Sequence, residues 1–265
     1  LITELTGITP LHNFRVRDMA AGVQEAPLTA YTYVLLFSHP TITLVCQNIG
    51  CIANLTFLPA LNRRSLLPFA FDSGPGNMLL DDAVRRFSGG AETFDRDGGR
   101  AARGTIDENL LTGWLEEEPY FRQPPPKTTG REAFSQAYGE NLWKQAKKRG
   151  LSEDDFIAML TAFTARSIAH AYMSFLPFLP DEIIVSGGGA RNPLLMDLLG
   201  SALSPCRLLT SDELGLPGEA KEAVAFAVLA YESWHNRPAN LPAATGAKRA
   251  VVLGSITPGD SLPKQ

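Results

Sequence analysis

Asp72 follows the apolar run Leu66-Leu67-Pro68-Phe69-Ala70-Phe71 and precedes Ser73-Gly74-Pro75-Gly76-Asn77. The run reads as a buried strand, and Met78-Leu79-Leu80-Asp81-Asp82-Ala83-Val84 after it reads as a helix. A carboxylate at the C-terminal end of a strand, beside a helix N-terminus, sits where open α/β sheets place ligands. The glycines let backbone N–H groups approach such a ligand closely. In that seat Asp72 is a candidate general base, taking a proton from a hydroxyl. The same spacing suits a plain helix cap, and the pattern alone does not separate the two.

A second candidate is Ile183-Ile184-Val185-Ser186-Gly187-Gly188-Gly189-Ala190-Arg191-Asn192-Pro193. Three successive glycines put no side chain between backbone and ligand, which suits a nucleotide face or phosphate. They also suit a simple strand-to-helix connection, since the run does not fit G-x-G-x-x-G. Asn192 fits a helix cap with Pro193 at the first helical position. Lys127 and Arg131, in Pro126-Lys127-Thr128-Thr129-Gly130-Arg131, could clamp an anion. On pattern they read better as the solvated basic start of a helix capped by the threonines after Gly130. Glu219 and Glu222 open a helix running to Trp234, where the helix dipole favours acids without any function. His12, His39, His170 and His235 are scattered and read as structural or surface residues.

These residues need α/β elements to hold them. Residues 42–47 and Ala53–Leu58 form a predicted hairpin broken at Asn48-Ile49-Gly50. An apolar helix pattern lies near Ile106–Trp114, and Pro124-Pro125-Pro126 is a stiff extended stretch. A long helix starts at Ser152, with Asp155 completing a capping box. Strand–helix units follow at 182–203 and 207–235.

Composition bounds the function. The chain has 265 residues, 45% of them hydrophobic, and a net charge of −4, so no basic field argues for nucleic acid or a membrane surface. Cys46, Cys51 and Cys206 lack metal-ligand spacing and fit a reducing, cytoplasmic setting. No segment is long and apolar enough to span a bilayer. The N-terminus reads as neither signal nor transit peptide and as cut from a longer chain.

Taken in order, NIGCIANLTFLP, FDSGPGNMLLD, PPPKTTGREAF, VSGGGARNPLLM, PGEAKEAVAFAVLA and NLPAATGAKRAVVLGSITPG resemble the anhydro-N-acetylmuramic acid kinase family from about Thr6 onward. The resemblance implies an actin-like ATPase, sugar-kinase fold, in which two α/β lobes flank a cleft for ATP, Mg²⁺ and a small anhydro sugar. It implies that Asp72 deprotonates a water that opens the 1,6-anhydro ring while ATP phosphorylates the sugar. Asn48, Gly50, Gly187, Gly188, Gly189 and Asn192 would hold the nucleotide. Arg15, Asp18, Asn77 and Glu222 would line the sugar site. Related levoglucosan kinases share the scaffold, and a non-catalytic nucleotide-binding remnant is a further alternative.

The family's G-T-S-x-D-G loop and H-G-Q-T motif are not in this sequence. The expected organisation is therefore a first-lobe remnant at 1–17, a second lobe at 18–245, and a C-terminal strand and tail at 246–265 returning toward the first lobe. The strand around Ala250–Leu253 would then lack partners, favouring a homodimer or other self-association. Asn13 replaces an Asp, Cys51 a Gly, and Ser73 a Thr of the family pattern. Glu25 likewise replaces a Gly and adds a charge near where phosphate would bind.

Overall fold

The computed structural model describes residues 1–22, 28–242 and 246–259; Glu25 lies outside them. Short elements open the chain: α1 (Ile2–Thr6), β1 (Leu11–His12), α2 (Phe14–Ala20) and α3 (Thr29–Phe37). Strands β2 (Leu44–Ile49), β3 (Ala53–Leu58) and β4 (Phe69–Gly74) follow, then α4 (Met78–Phe87), α5 (Glu108–Glu117), α6 (Pro119–Arg122), α7 (Gln136–Lys148) and α8 (Glu153–Phe175). The chain then alternates through β5 (Glu182–Ser186), α9 (Pro193–Ala202), β6 (Arg207–Thr210) and α10 (Lys221–Trp234), and ends on β7 (Ser255–Ile256).

The main sheet has five strands in the order β4-β3-β2-β5-β6. β3 is antiparallel to both neighbours, while β2, β5 and β6 are parallel. Alternate residues of the strands face opposite layers, as the two-residue strand period requires. Val45, Ile49, Leu55, Phe57, Ile183 and Val185 pack against α8 and α9. Leu44, Cys46, Leu58 and Ile184 pack against Tyr33, Val34 and Phe37 of α3. The sheet is mixed, its second strand reversed, with helices packed on both faces, and the α/β class stands as expected. The strand directions also bring Ile49, Gly74, Ser186 and Thr210, the last residues of β2, β4, β5 and β6, to one end of the sheet. That end is where such sheets bind ligands.

The long helix α8 starts on the expected capping box. Ser152 Oγ accepts from Asp155 N–H at 3.1 Å, and Asp155 Oδ2 accepts from Ser152 N–H at 2.8 Å. Asn192 caps α9 through Leu195 N–H at 3.1 Å, with Pro193 first in the helix. No described helix is long and apolar enough to cross a membrane.

Four expectations need correction. The β2–β3 ladder runs from Leu44↔Leu58 to Ile49↔Ala53, so Asn48 and Ile49 lie inside the strand and the turn is Gly50 to Ile52. Strand β4 pairs from Phe69 and not from Leu66, because Pro68 offers no N–H to a ladder and Leu67 is exposed. No helix starts after Gly130; α7 begins at Gln136, with Ser135 Oγ accepting from Tyr138 N–H at 3.3 Å. Ala250–Leu253 is not a strand with an orphaned face. Val251 and Leu253 are buried against Phe14 and Leu229, and the strand further on, β7, pairs antiparallel with β1.

Candidate active site

Three glycine-bearing segments meet at the β2–β3 turn. Asn77 N–H donates to Gly50 O at 2.8 Å, Met78 N–H to Cys51 O at 3.2 Å, and Asn77 Nδ2 to Ile49 O at 3.3 Å. A Cβ on Gly76 would stand 2.3 Å from Gly50 O, and one on Gly187 would stand 2.6 Å from Ile49 O. Gly187 also has φ of 87°, a region open to glycine and costly for other residues. Gly189 packs on Ile49 so closely that a Cβ would lie 2.4 Å from its Cγ2. Gly76 and Gly187 thus let backbone lie on backbone, while Gly189 lets the loop lie on the Ile49 and Leu195 side chains. Gly188 differs. A Cβ there would meet only Asn77 Nδ2, at 3.4 Å, so its missing side chain keeps space for something outside the chain.

That space is a cavity of about 470 Å³ lined by Asn77, Leu80, Asp81, Phe94, Asp97, Gly188, Arg191 and Asn192. Asn77 lines this cavity and not the one that holds Arg15 and Glu222. Asp81 also lines the cavity, and no side chain among the described residues donates a hydrogen bond to it. Burial pushes its carboxyl up to about 6, with Arg85 opposing and Asp82 reinforcing the shift.

Asp72 does not cap α4. Asn77 holds the cap position, and Asp72 Oδ2 instead accepts from Thr129 N–H at 2.9 Å. Its main chain is held as well: its N–H donates to Lys127 O at 3.2 Å, and its O accepts from the Tyr120 hydroxyl at 2.7 Å. The segment from Lys127 to Thr129 thus straps across the end of β4. Thr129 Oγ1 is buried beside this contact with no partner among the described residues. Lys127 is not the solvated residue its pattern suggests. It is 6% exposed, enclosed by aromatic rings that only the tertiary fold assembles. Arg131 is exposed and does not join it in a clamp.

A third group surrounds a cavity of about 360 Å³ lined by Arg15, Thr29, Asn48, Asn54, Lys221 and Glu222, with Phe226 and Leu229 as an apolar wall. Arg15 and Glu222 both line it. Asn48 joins them, its side chain accepting from Lys221, which also donates to Ser186 Oγ at 3.0 Å. Lys221 is buried, which lowers its pKa against the raising influence of Glu222. Asp18 does not line this cavity. It is 3% exposed and accepts from Asn240 Nδ2 at 2.9 Å, with burial raising its pKa. A separate hollow of about 540 Å³ lies between α4 and α7, and none of the residues implied in chemistry lines it.

The model of the family described as "Anhydro-N-acetylmuramic acid kinase" matches residues 1–259. The chain belongs to the anhydro-N-acetylmuramic acid kinase family. A relative of that name from Microcystis aeruginosa is 49% identical over 258 residues, covering 96% of this chain and 68% of its own. Another from Cyanothece sp. is 46% identical over 259 residues, covering 97% and 68%. The chain thus spans about two thirds of the length of these relatives. Among solved structures, an activator of 2-hydroxyisocaproyl-CoA dehydratase from Clostridium difficile with bound ADPNP covers 77% of this chain and 64% of its own. Its identity is 11% and its TM-score 0.44, too weak a likeness to bear on fold or function.

Within the family frame, Asp72, the Gly188 loop and the Arg15–Glu222 cavity occupy one end of one sheet. Sequence reasoning missed Lys221 and Asp81, took Lys127 for a solvated residue and gave Thr129 only a capping role. Lys221 had a signal, a basic residue between acids at a helix start where the dipole disfavours it. Asp81 had none, because an acid in a first helical turn is unremarkable.

Proposed function

We propose that the protein is an ATP-dependent kinase of a 1,6-anhydro amino sugar, anhydro-N-acetylmuramic acid. The observation that carries this reading is the placement of Asp72. It is held by Thr129 N–H at the ligand-binding end of the sheet, while family membership fixes the class of chemistry. Asp72 takes a proton from water as the water oxygen bonds to the anomeric carbon. The bond from that carbon to the bridging oxygen breaks, and this oxygen becomes the 6-oxygen that attacks the terminal phosphorus of ATP. ADP leaves, and the product is the 6-phosphosugar. Thr129 Oγ1, buried without a partner among the described residues, is suited to a sugar hydroxyl or the water.

The cavity at Gly188 suits the nucleotide, since its backbone is open to close approach and lies at a helix start. Among the described residues no cluster of three or more His, Cys, Asp or Glu could cage a metal. Magnesium would therefore arrive on the phosphates and keep much of its water, its usual mode in kinases. Bound there, it offsets phosphate charge.

Arg15 and Lys221 set two cations against the one carboxylate of Glu222 in this cavity, a net positive lining that favours an anionic sugar. A muramic acid carries a lactyl carboxylate; levoglucosan does not. The test is to incubate the protein with ATP and each sugar in ¹⁸O-labelled water. The expected product is a 6-phosphosugar from the muramic compound, with the label at the anomeric hydroxyl. Turnover of levoglucosan alone, or of neither sugar, would overturn the assignment.

A further inference from the structure

Lys127 is a buried charged residue that the proposed chemistry leaves unused. Its ammonium lies 4.4 Å from the Phe175 ring centroid, 4.6 Å from Tyr120 and 5.7 Å from Phe71. It donates to Tyr120 O at 3.2 Å. Burying an ammonium costs more than one carbonyl and the faces of three rings restore. A methionine would fill the same space without that cost, so packing does not explain the charge.

What the charge adjoins is the candidate base. Lys127 O accepts from Asp72 N–H, and the Tyr120 hydroxyl beneath the ammonium donates to Asp72 O. Two residues on, Thr129 N–H donates to the Asp72 carboxylate. One of these contacts is Lys127's own, one comes from a ring of its cage, and one from the residue two positions on. We propose that Lys127 is a positioning residue for Asp72: its caged ammonium locks the Lys127–Thr129 strap onto β4 and sets a positive charge within electrostatic reach of the base. The inference rests on the reading of Asp72 as the base.

The cage makes the charge titratable. Burial pulls Lys127 down to about 8, with the Asp72 charge acting the other way. The groups facing it are Phe71 and Asp72 on β4, Tyr120 on α6, and His170 and Phe175 on α8. His170 is lowered by burial and by Lys127, so it titrates below its ordinary 6.5 and apart from the lysine. Burial raises Tyr120 far above its ordinary value, aided by Asp72 and Glu132.

The test is a carboxyl ¹³C NMR titration of Asp72 in the whole protein. The wild-type signal should show its own inflection and a second near pH 8, where Lys127 loses its proton. Lys127→Met keeps the length and apolar contacts and removes the charge. It should lose the second inflection and move the first upward by about one unit, the lower end for a neighbouring opposite charge. Its kcat should fall by about tenfold or more with KM little changed, as for a displaced catalytic group. Lys127→Arg should restore the position of the first inflection. A wild-type Asp72 signal with no second inflection below Lys127's ordinary 10.5 overturns the proposal, whether or not Lys127→Met folds. An unshifted Asp72 in folded Lys127→Met overturns it equally. Both inflections in a protein that turns over no anhydro sugar would leave the pairing standing and overturn the proposed function instead.

Discussion

Asp72 Oδ2 accepts a backbone N–H from Thr129, and an asparagine oxygen can accept the same bond. Asp72→Asn is therefore expected to leave the melting curve in place while turnover of the anhydro sugar falls by about a hundredfold or more, the scale of general-base catalysis. Turnover within a few-fold of wild type would remove Asp72 from the mechanism. Asp81 makes a different prediction. Its carboxyl is raised from 3.8 to about 6 by burial, so the folded state holds that proton more tightly than the unfolded state. Stability is then lost as pH rises from 3.8 through about 6, and the full cost is present above that. Around it stand Arg85 and Asp82 on its own helix, and Asp95, Arg96, Asp97 and Arg191 across the cavity. Asp81→Asn removes the cost. It should stabilise the protein by on the order of 1 kcal/mol at pH 7.5, discounting for partial exposure, and by nothing at pH 4. Denaturant unfolding at the two pH values checks this; equal effects at both would contradict it.

At the scale of elements, the glycine loop separates packing from binding. Gly188→Val adds atoms to the cavity and meets only Asn77 within the chain. Nucleotide binding by calorimetry should fall while the melting temperature holds. Gly187→Val forces a β-branched side chain into φ of 87° and against Ile49 O, and should cost about 1–3 kcal/mol of stability. If the two variants behaved alike, the division would fail. The loop, its strand and Asn192 as cap were all legible in the residues, because strand, glycine and cap signals are local. Strand limits were not. β2 is buried along nearly all its length, so no change of pattern marks its end, and only pairing with β3 fixes Asn48 and Ile49 inside it. The fate of Lys127 was illegible for a related reason. Its cage draws rings from β4, α6 and α8, which no window of sequence brings together.

At the scale of the whole molecule, Asn240 ties distant parts of the chain. It donates to Asp18 Oδ1 and to Arg249 O, and accepts from Val251 N–H at 2.8 Å. Asn240→Ala would leave the buried Asp18 carboxylate without that donor and should cost about 1–3 kcal/mol, seen in equilibrium unfolding. The same region exposes Val16, Met19, Phe226, Tyr231 and Trp234. Sedimentation should show concentration-dependent association, and a monomer at every concentration would count against an adhesive face there. The residues that gave away the family carried both the fold class and Asp72. They gave no hint that Asp18 would be spent on this tie. The junction at Ile49 to Cys51 has its own consequence. Segments far apart in the chain press on one corner of backbone with no room for a methyl group between them. Such a site is inherited as a block. A chimera taking its β2–β3 turn from one homologue and its glycine loop from another would join halves that had never adjusted to each other, and would lose its activity at a seam holding no catalytic residue.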